Sequence, residues 1–491
     1  MAAVGTEERI TLKLMVLKKE NKVIFAEAGK DFVDVLFSFL TLPLGTIARV
    51  VRKESKLQPS EVASLSSLYQ SVENLDKECF PTDTCKEMLL CPRNSMEAYC
   101  RSSKINIDDT EPTEYFVCND LVRCRIKPPV LISTFRNKRC RCGSMLAKPI
   151  STETFDSFDG FVQTNSSFMV TDGMKVFPNS FDKIINVLKD SGIENMSSIS
   201  ERTVNITKNQ VVELLKHCFC SRSVLTDLFL EKAEKAGRDY RETLLKRRRI
   251  TPCDLKANNC DGIIVKIVLR KSSGKILFAE GKADFADFLF TFLTIPLGAL
   301  CLMGGCSYDD SVDGLYKSVV DLDEDYFTTK EVKNKFVDPV LAPQFKLHNL
   351  LSLKNGDVPN YFCYSEWDYH GKMVKDFCLT SKRKVELYPC YYESCVASEF
   401  LDPLSDTSNN GKAYVKGPTP YMVTDDLVVT PSSSLSVVSL LRTMNIPRHD
   451  LQEKVVSIGK EEGVRILQAS LSSRSALTLG LSHLTKVKEE N

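Results

Sequence analysis

The stretch "DFVDVLFSFLTLPLG", residues 31–45, occurs a second time as "DFADFLFTFLTIPLG", residues 284–298. The wider segments 25–45 and 278–298 agree at 14 of 21 positions, where unrelated segments of ordinary composition would share about one or two. The two copies lie 253 positions apart (284 minus 31). This spacing indicates a whole domain duplicated in tandem, because solenoid repeats recur every 20 to 50 residues or so.

Three further pairs of similar segments occur in the same order in the two copies. They are "LYQSVENLD" (68–76) with "LYKSVVDLD" (315–323), "FMVTDGMKV" (168–176) with "YMVTDDLVV" (421–429), and "SRSxLT" at 221–226 and at 473–478. The sequence therefore predicts a repeat unit at residues 9–230, a charged linker at 231–261, a second repeat unit at 262–482 and a polar tail at 483–491.

Each unit opens with a pattern typical of a β-hairpin. Residues 10–29 alternate apolar and polar side chains on either side of Glu20 and Asn21, and residues 265–281 do so around Ser273 and Gly274. A helix follows each hairpin, and amphipathic stretches near the end of each unit predict further helices. The fold class predicted is α+β, with two tandem copies of a unit that begins with a hairpin and a buried helix and ends in helices.

The helix after each hairpin is predicted to be buried. Phe32–Leu40 and Phe285–Leu293 carry apolar residues on every face, which is typical of a core helix, and we expect each to pack inside its own unit. The proline and glycine of "TLPLG" end the helix. A membrane span is the alternative, because residues 288–305 are 18 consecutive uncharged residues, but the first copy is too short to cross a bilayer.

Two acidic pairs begin these helices. Asp31 and Asp34, repeated as Asp284 and Asp287, fit an N-cap and the residue three positions later that reaches back to it. The alternative is a functional pair, since carboxylates at this spacing lie on one helical face and could hold a cation or act as acid and base. The capping interpretation explains these residues without a site.

The charge balance and the cysteines of the sequence predict the kind of partner and the cellular compartment. Lysine plus arginine total 65 against 64 for aspartate plus glutamate, and the resulting formal charge of +1 predicts no nucleic-acid partner. The basic run at 246–249 is interpreted as a solvated helix end, and the alternative is a nuclear-localisation signal. The opening residues show no secretory signal, so the 18 cysteines are expected to be reduced thiols in the cytoplasm or nucleus.

No catalytic motif is present in the sequence. It contains no phosphate-binding glycine loop, no nucleophile elbow and no "HExxH", and its five histidines do not recur at matched places in the two copies. The remaining polar residues shared by both copies are Asp172 and Asp425 in "MVTD" and Arg222 and Arg474 in "SRS". Turn and cap roles account for them. If a ligand site exists, they are its first candidates.

Cysteine supplies the one metal hypothesis. Cys118, Cys124, Cys140 and Cys142 form C-x5-C followed by C-x-C-G, and four thiols can close on a tetrahedral structural zinc ion. The alternative is four separate thiols. The second unit has four cysteines at different spacing (Cys363, Cys378, Cys390 and Cys395), whereas a further set in the first unit has no counterpart (Cys79, Cys85, Cys91 and Cys100).

Residues 12–50, together with "LYQSVENLD" and "FMVTDGMKV" and their second copies, resemble the plant-specific family catalogued as domain of unknown function 674. The resemblance covers nearly the whole chain, and "FLT[LI]PLG" is its most specific part. It implies a plant source and a tandem architecture, and it implies no reaction, cofactor or catalytic residue.

Two classes of function remain open on the sequence. The first is a non-catalytic binding or scaffold protein with a protein partner, which the absence of motif chemistry favours. The second is an enzyme with an unrecognised site between the two units, since function depends on sites and not on folds. Membrane association is a third, lesser reading.

Overall fold

The structure is a computed structural model. It describes residues 8–54, 62–125, 128–136, 138–152, 159–230, 262–304, 311–342, 349–351, 353–354, 362–367, 373–380, 396–401, 413–417 and 419–485. The segment predicted to be a linker, 231–261, lies outside the described residues. We call residues 8–230 the first half of the chain and residues 262–485 the second half.

The first half contains nine strands and nine helices among its described residues. In chain order they are β1 (Ile10–Leu17), β2 (Lys22–Gly29), α1 (Lys30–Thr41), α2 (Leu44–Glu54), α3 (Ala63–Asn74), α4 (Asp83–Leu90), α5 (Glu97–Ser102), β3 (Tyr115–Cys118), α6 (Leu121–Arg125), β4 (Val130–Ser133), β5 (Lys138–Arg139), β6 (Met145–Thr152), β7 (Ser167–Thr171), β8 (Val176–Pro178), α7 (Phe181–Asp190), β9 (Ile199–Ile206), α8 (Lys208–Cys220) and α9 (Val224–Phe229).

The described part of the second half contains eight strands and eight helices. They are β10 (Ile263–Arg270), β11 (Ile276–Gly281), α10 (Ala283–Thr291), α11 (Leu297–Leu302), α12 (Ser311–Asp321), α13 (Lys330–Val337), β12 (Phe362–Trp367), β13 (Met373–Thr380), β14 (Val396–Phe400), β15 (Tyr421–Thr424), β16 (Val429–Pro431), α14 (Ser434–Thr443), β17 (Leu451–Ile458), α15 (Lys460–Ser472), α16 (Ala476–Gly480) and α17 (Ser482–Thr485).

Each half contributes one five-stranded antiparallel sheet. The strand order is β8-β7-β2-β1-β9 in the first and β16-β15-β11-β10-β17 in the second. The hairpins have the same register, since Lys13 pairs with Glu27 and Lys266 pairs with Glu280. Each half ends in helices, and the predicted α+β class is confirmed.

A third sheet is built from both halves. Its order is β13-β12-β14-β4-β3-β6-β5, and β13 also pairs with β6, so that six of these strands close into a ring. The two halves meet in it through parallel pairings, β14 with β4 and β13 with β6. The buried interior of this ring contains Val117 and Ile132 from the first half and Cys363 and Leu379 from the second. The ring therefore depends on strands from both halves.

The repeated segment pairs with its own copy. Pro43 and Pro296 form an antiparallel bridge; the backbone N–H of Leu44 donates to the carbonyl of Ile295 at 2.9 Å, and that of Leu297 donates to Leu42 at 3.0 Å. The backbones are so close that a Cβ added at residue 45 would lie 2.9 Å from the carbonyl oxygen of Leu293. Only glycine leaves room for this approach, so Gly45 is required by packing.

The buried helices also lie against the opposite half. Phe37 on α1 is fully buried, and its ring is 6.1 Å from that of Phe327 and 5.9 Å from that of Phe336, both in the second half. The prediction that these helices are buried is confirmed, but the prediction that each packs inside its own unit is wrong. An apolar pattern on all faces shows that a helix is enclosed without showing which segment encloses it.

The "LYxSV" segments form two further helices that cross between the halves. On α3, the hydroxyl of Ser71 accepts a hydrogen bond at 2.9 Å from the backbone of Val429 in the second sheet. On α12, the hydroxyl of Ser318 accepts one at 2.8 Å from Val176 in the first sheet. Each sheet is thus completed by a helix from the other half, and the apolar core continues through both.

The uncharged stretch considered as a membrane span is broken in the structure. Helix α10 ends at Thr291, a 3-10 turn covers Phe292–Thr294, and α11 begins at Leu297 after Pro296. Among the residues that the structure describes, none of the helices has the length and apolar character needed to cross a bilayer.

Candidate functional site

The acidic pairs at the start of α1 and α10 do not form capping boxes. The N-cap of α1 is Gly29, and Asp31 instead forms a 3.5 Å ion pair with Lys104 at the surface. Asp34 Oδ1 accepts hydrogen bonds from the backbone N–H groups of Phe161, at 2.8 Å, and Val162, at 3.0 Å. The capping prediction is therefore wrong, because sequence spacing could not reveal a loop 127 residues away that needs an acceptor.

The second half repeats this arrangement. Asp287 Oδ1 accepts from the backbone N–H groups of Tyr414 and Val415, and Asp284 accepts from its neighbour Phe285. Burial raises the pKa of Asp34, although Lys30 and the two backbone donors oppose the rise. These carboxylates tie a distant loop to a core helix, which is a structural role.

Asp172 and Asp425 connect two of the repeated motifs. Asp172 Oδ1 accepts from the backbone N–H of Thr226, and Oδ2 accepts from its hydroxyl, both at 2.8 Å. The same hydroxyl accepts from the backbone of Val23 on β2. Asp425 accepts in the same way from the backbone N–H of Thr478 at 2.8 Å. The predicted turn and cap roles agree with these bonds, which explains why "MVTD" and "SRSxLT" recur together.

The four cysteines predicted as metal ligands lie together. Their sulfur atoms are all within 4.8 Å of one another. The sulfurs of Cys118 and Cys142 are 3.4 Å apart, and so are those of Cys124 and Cys140. Tetrahedral coordination with zinc–sulfur bonds of about 2.3 Å requires sulfur–sulfur distances of about 3.8 Å, and a disulfide requires about 2.05 Å. The cluster is therefore close to the size of a zinc site and too wide for disulfides.

Local backbone structure positions each thiol. Cys118 ends β3 and Cys124 lies on α6, while Cys140 and Cys142 lie in the turn between β5 and β6. In this turn the backbone N–H of Cys140 donates to Ser144 at 2.8 Å, and Gly143 adopts a φ of +91°. That conformation favours glycine, which accounts for the glycine in the C-x-C-G pattern.

The surroundings of the cluster are mainly apolar. Phe116, Leu131 and Leu146 pack around it, and Cys118 and Cys140 are buried. Burial raises the pKa of Cys118 to about 11, whereas a hydrogen bond from the backbone of Ser144 lowers the pKa of Cys142 to about 6. Four thiols would fill a tetrahedral shell, and structural zinc sites are closed in this way, whereas catalytic sites keep a position open.

The cluster lies at a junction between the halves. Arg141, between two of the cysteines, forms a 2.6 Å ion pair with Glu399 on β14, and the backbone N–H of Leu401 donates to Ile132 at 2.8 Å. Leu401 also packs against the cluster. The ion pair is exposed and contributes little by itself. The backbone bond and the packing bring the second half directly to the cysteine cluster.

The other cysteines noted in the sequence do not belong to this cluster. Cys363 and Cys378 are buried in the shared sheet, and Cys390 and Cys395 lie outside the described residues. Of the four unmatched cysteines in the first half, Cys85 and Cys100 are buried and Cys91 is exposed. Burial raises the pKa of Cys100 to about 12, so it is a poor nucleophile.

Sequence reasoning named Asp425, Arg222 and Arg474 but missed Arg270 and Lys275, which lie beside Asp425. Arg222 and Arg474 are exposed, and Arg474 lines a cavity together with Arg270, Lys275 and Asp425. The signal in the sequence that could have identified Arg270 is a difference between the copies, since Leu17 occupies the equivalent position in the first copy.

Comparisons with known proteins give one match. The sequence model described as "Protein of unknown function (DUF674)" matches residues 6–461. No curated protein and no solved structure matches the chain.

Proposed function

The chain belongs to the DUF674 family of proteins of unknown function, and from this premise we propose that it is a non-catalytic binding or scaffold protein that contains a structural zinc ion. The observation that carries the proposal is the closed four-cysteine cluster at the junction of the two halves. The residues that would hold the ion are Cys118, Cys124, Cys140 and Cys142. Zinc would supply a cross-link between β3, α6 and the turn before β6, and no chemistry is assigned to it.

The tandem architecture is part of the proposal. We infer two copies of one unit, at residues 9–230 and 262–482, joined by the linker 231–261 and followed by the tail 483–491. The equal strand orders of the two five-stranded sheets and the equal registers of their hairpins support this inference. In this arrangement each copy supplies one helix, α3 or α12, that covers the core of the other copy.

The bonding of the repeated carboxylates supports a non-catalytic role. Asp34, Asp287 and Asp172 accept hydrogen bonds from backbone N–H groups of distant segments. An enzyme site between the halves is the alternative. Where Phe37 meets Phe327 and Phe336, the contact between the halves is made by aromatic rings, which is the packing of a core and gives no support to an enzyme site.

The remaining assignments follow from the sequence. We propose a protein partner, no nucleic-acid partner because the formal charge is +1, and an intracellular location in a plant cell. Membrane contact is disfavoured because the apolar repeated segments are used inside the protein, where Phe288 and Leu293 are fully buried.

The zinc content of the purified chain tests this proposal. We expect elemental mass spectrometry of the purified protein to find about one zinc ion per chain, since four cysteines complete one tetrahedral shell. Cys118→Ser and Cys142→Ser should each lower the content to below about a third. Cys91→Ser is the matched control, because Cys91 lies outside the cluster, and it should retain the ion. Zinc-free protein, or equal zinc in all three variants, would contradict the proposal.

A further inference from the structure

One member of the four-cysteine cluster lies close to solvent. Cys118 and Cys140 are buried, whereas Cys142 is the least buried of the four and stands between the exposed residues Arg141 and Gly143. It belongs to the turn between β5 and β6, so a small solute can approach its sulfur from the surface. Zinc binds cysteine as the thiolate, which is also the form that oxidants attack.

A second sulfur lies directly beside that of Cys142. The sulfurs of Cys118 and Cys142 are 3.4 Å apart, and a disulfide bond is about 2.05 Å long, so an approach of about 1.4 Å would join them. Cys118 ends β3, and β3 pairs with β6, the strand that follows the turn with Cys142. An accessible thiolate with a second thiol next to it is the arrangement found in cysteine pairs that respond to oxidants.

We propose that Cys142 and Cys118 form a peroxide-sensitive pair, whose oxidation to a disulfide expels the zinc ion. Cys142 is the cysteine that the oxidant attacks, and Cys118 is the one that completes the disulfide. The inference rests on the proposed zinc site and adds a form of regulation to it.

The reaction balances with hydrogen peroxide as the oxidant. The thiolate sulfur of Cys142 attacks one peroxide oxygen, the O–O bond breaks, and the hydroxide that leaves takes a proton from solvent. The sulfur of Cys118 then attacks the sulfenic acid on Cys142, the S–S bond forms, the S–O bond breaks, and a second hydroxide leaves and is protonated. The two sulfurs together lose two electrons, and one peroxide is reduced to two waters. Two of the four zinc ligands are thereby consumed.

The oxidation changes which elements the cluster connects. Zinc would link β3, α6 and the turn before β6, whereas the disulfide links β3 to the turn and releases Cys124 on α6. Leu121 on the same helix packs inside the ring built from strands of both halves, and Leu401 of the second half packs against the cluster. The oxidation therefore acts at the junction of the two halves.

Peroxide treatment of the full chain, as purified with its zinc, tests the inference. Remaining thiols are blocked with N-ethylmaleimide, and trypsin, which cuts after Arg123 and Arg141, then places Cys118 and Cys142 in different peptides. With about a tenfold excess of hydrogen peroxide, mass spectrometry should find these two peptides joined by a disulfide. A zinc-binding dye should detect about one zinc ion released per disulfide, and dithiothreitol followed by zinc should restore the starting state.

Two controls show whether the fold selects the pair. Cys91→Ser removes an exposed thiol outside the cluster and should leave both the disulfide and the zinc release unchanged. In concentrated urea with a chelator, the disulfide partners of Cys142 should be distributed among several cysteines, because the fold no longer holds Cys118 beside it.

The zinc content before oxidation separates this inference from the proposed function. A chain that purifies without zinc contradicts the zinc site and, with it, the release of zinc. Where zinc is present, the inference alone is overturned by any of three results: the chain keeps its zinc and thiols in peroxide, Cys142 pairs mainly with Cys124 or Cys140, or Cys142 is oxidised to a sulfinic acid without forming a disulfide.

Discussion

Replacing Phe37 by alanine is expected to lower the free energy of unfolding by about 3 to 5 kcal/mol, through lost burial and the cavity left behind. Phe37 is fully buried, and its ring meets those of Phe327 and Phe336 from the other half. Because the core continues across this contact, the loss should destabilise both halves together. Urea unfolding followed by circular dichroism measures the change.

The control for this substitution is Phe181→Ala. Phe181 begins α7 and is 76% exposed, so its removal should change the free energy of unfolding by less than about 0.5 kcal/mol. Two separate unfolding transitions in Phe37→Ala, with only one of them shifted, would show that the halves are independent domains.

Cutting the chain between its halves is expected to leave them associated. With a specific protease site placed within 231–261 and then cleaved, the two fragments should elute together at the size of the intact chain. The physical reason is that separation would remove α3 and α12 from the sheets they cover and break β14 from β4 and β13 from β6. Each fragment would then expose apolar core to water.

Two conditions make the cleavage experiment decisive. In concentrated urea the fragments should elute separately, which verifies that cleavage was complete. Returning the mixture to buffer should restore the joint peak. Two monomeric, folded fragments in native buffer would contradict the crossed arrangement and support two units that pack only internally.

The sequence predicted where the helices and strands lie better than it predicted which segments they pack against. Alternating patterns located both hairpins, and the apolar stretches located α1 and α10. Such patterns predict that a side chain is buried, but they do not predict which segment covers it. The packing of α3 and α12 against the sheets of the opposite halves was therefore not predicted. Ser71 and Ser318 show this, because their role depends on backbone groups in the opposite half.

The candidate sites were predicted unevenly for a similar reason. The four cysteines could be grouped from their spacing, since two of them lie in one turn and the other two precede it on β3 and α6. Asp425 and Arg474 were named as candidates because they recur in both copies, but their position beside Lys275 could not be predicted, since the three residues come from separate segments that meet only when the sheet forms. Comparison of the copies was the useful signal, and it shows Arg270 in the place of Leu17.

X-ray absorption at the zinc edge of the purified chain is the most direct test of the structural zinc site on which the account depends. We predict a single shell of four sulfur atoms at about 2.3 Å from the metal, with no nitrogen or oxygen ligand. Such a shell would identify the cluster of Cys118, Cys124, Cys140 and Cys142 as a closed, structural site. A shell that contains an exchangeable oxygen ligand would indicate an open, reactive site, and a chain that purifies without zinc would contradict the account altogether.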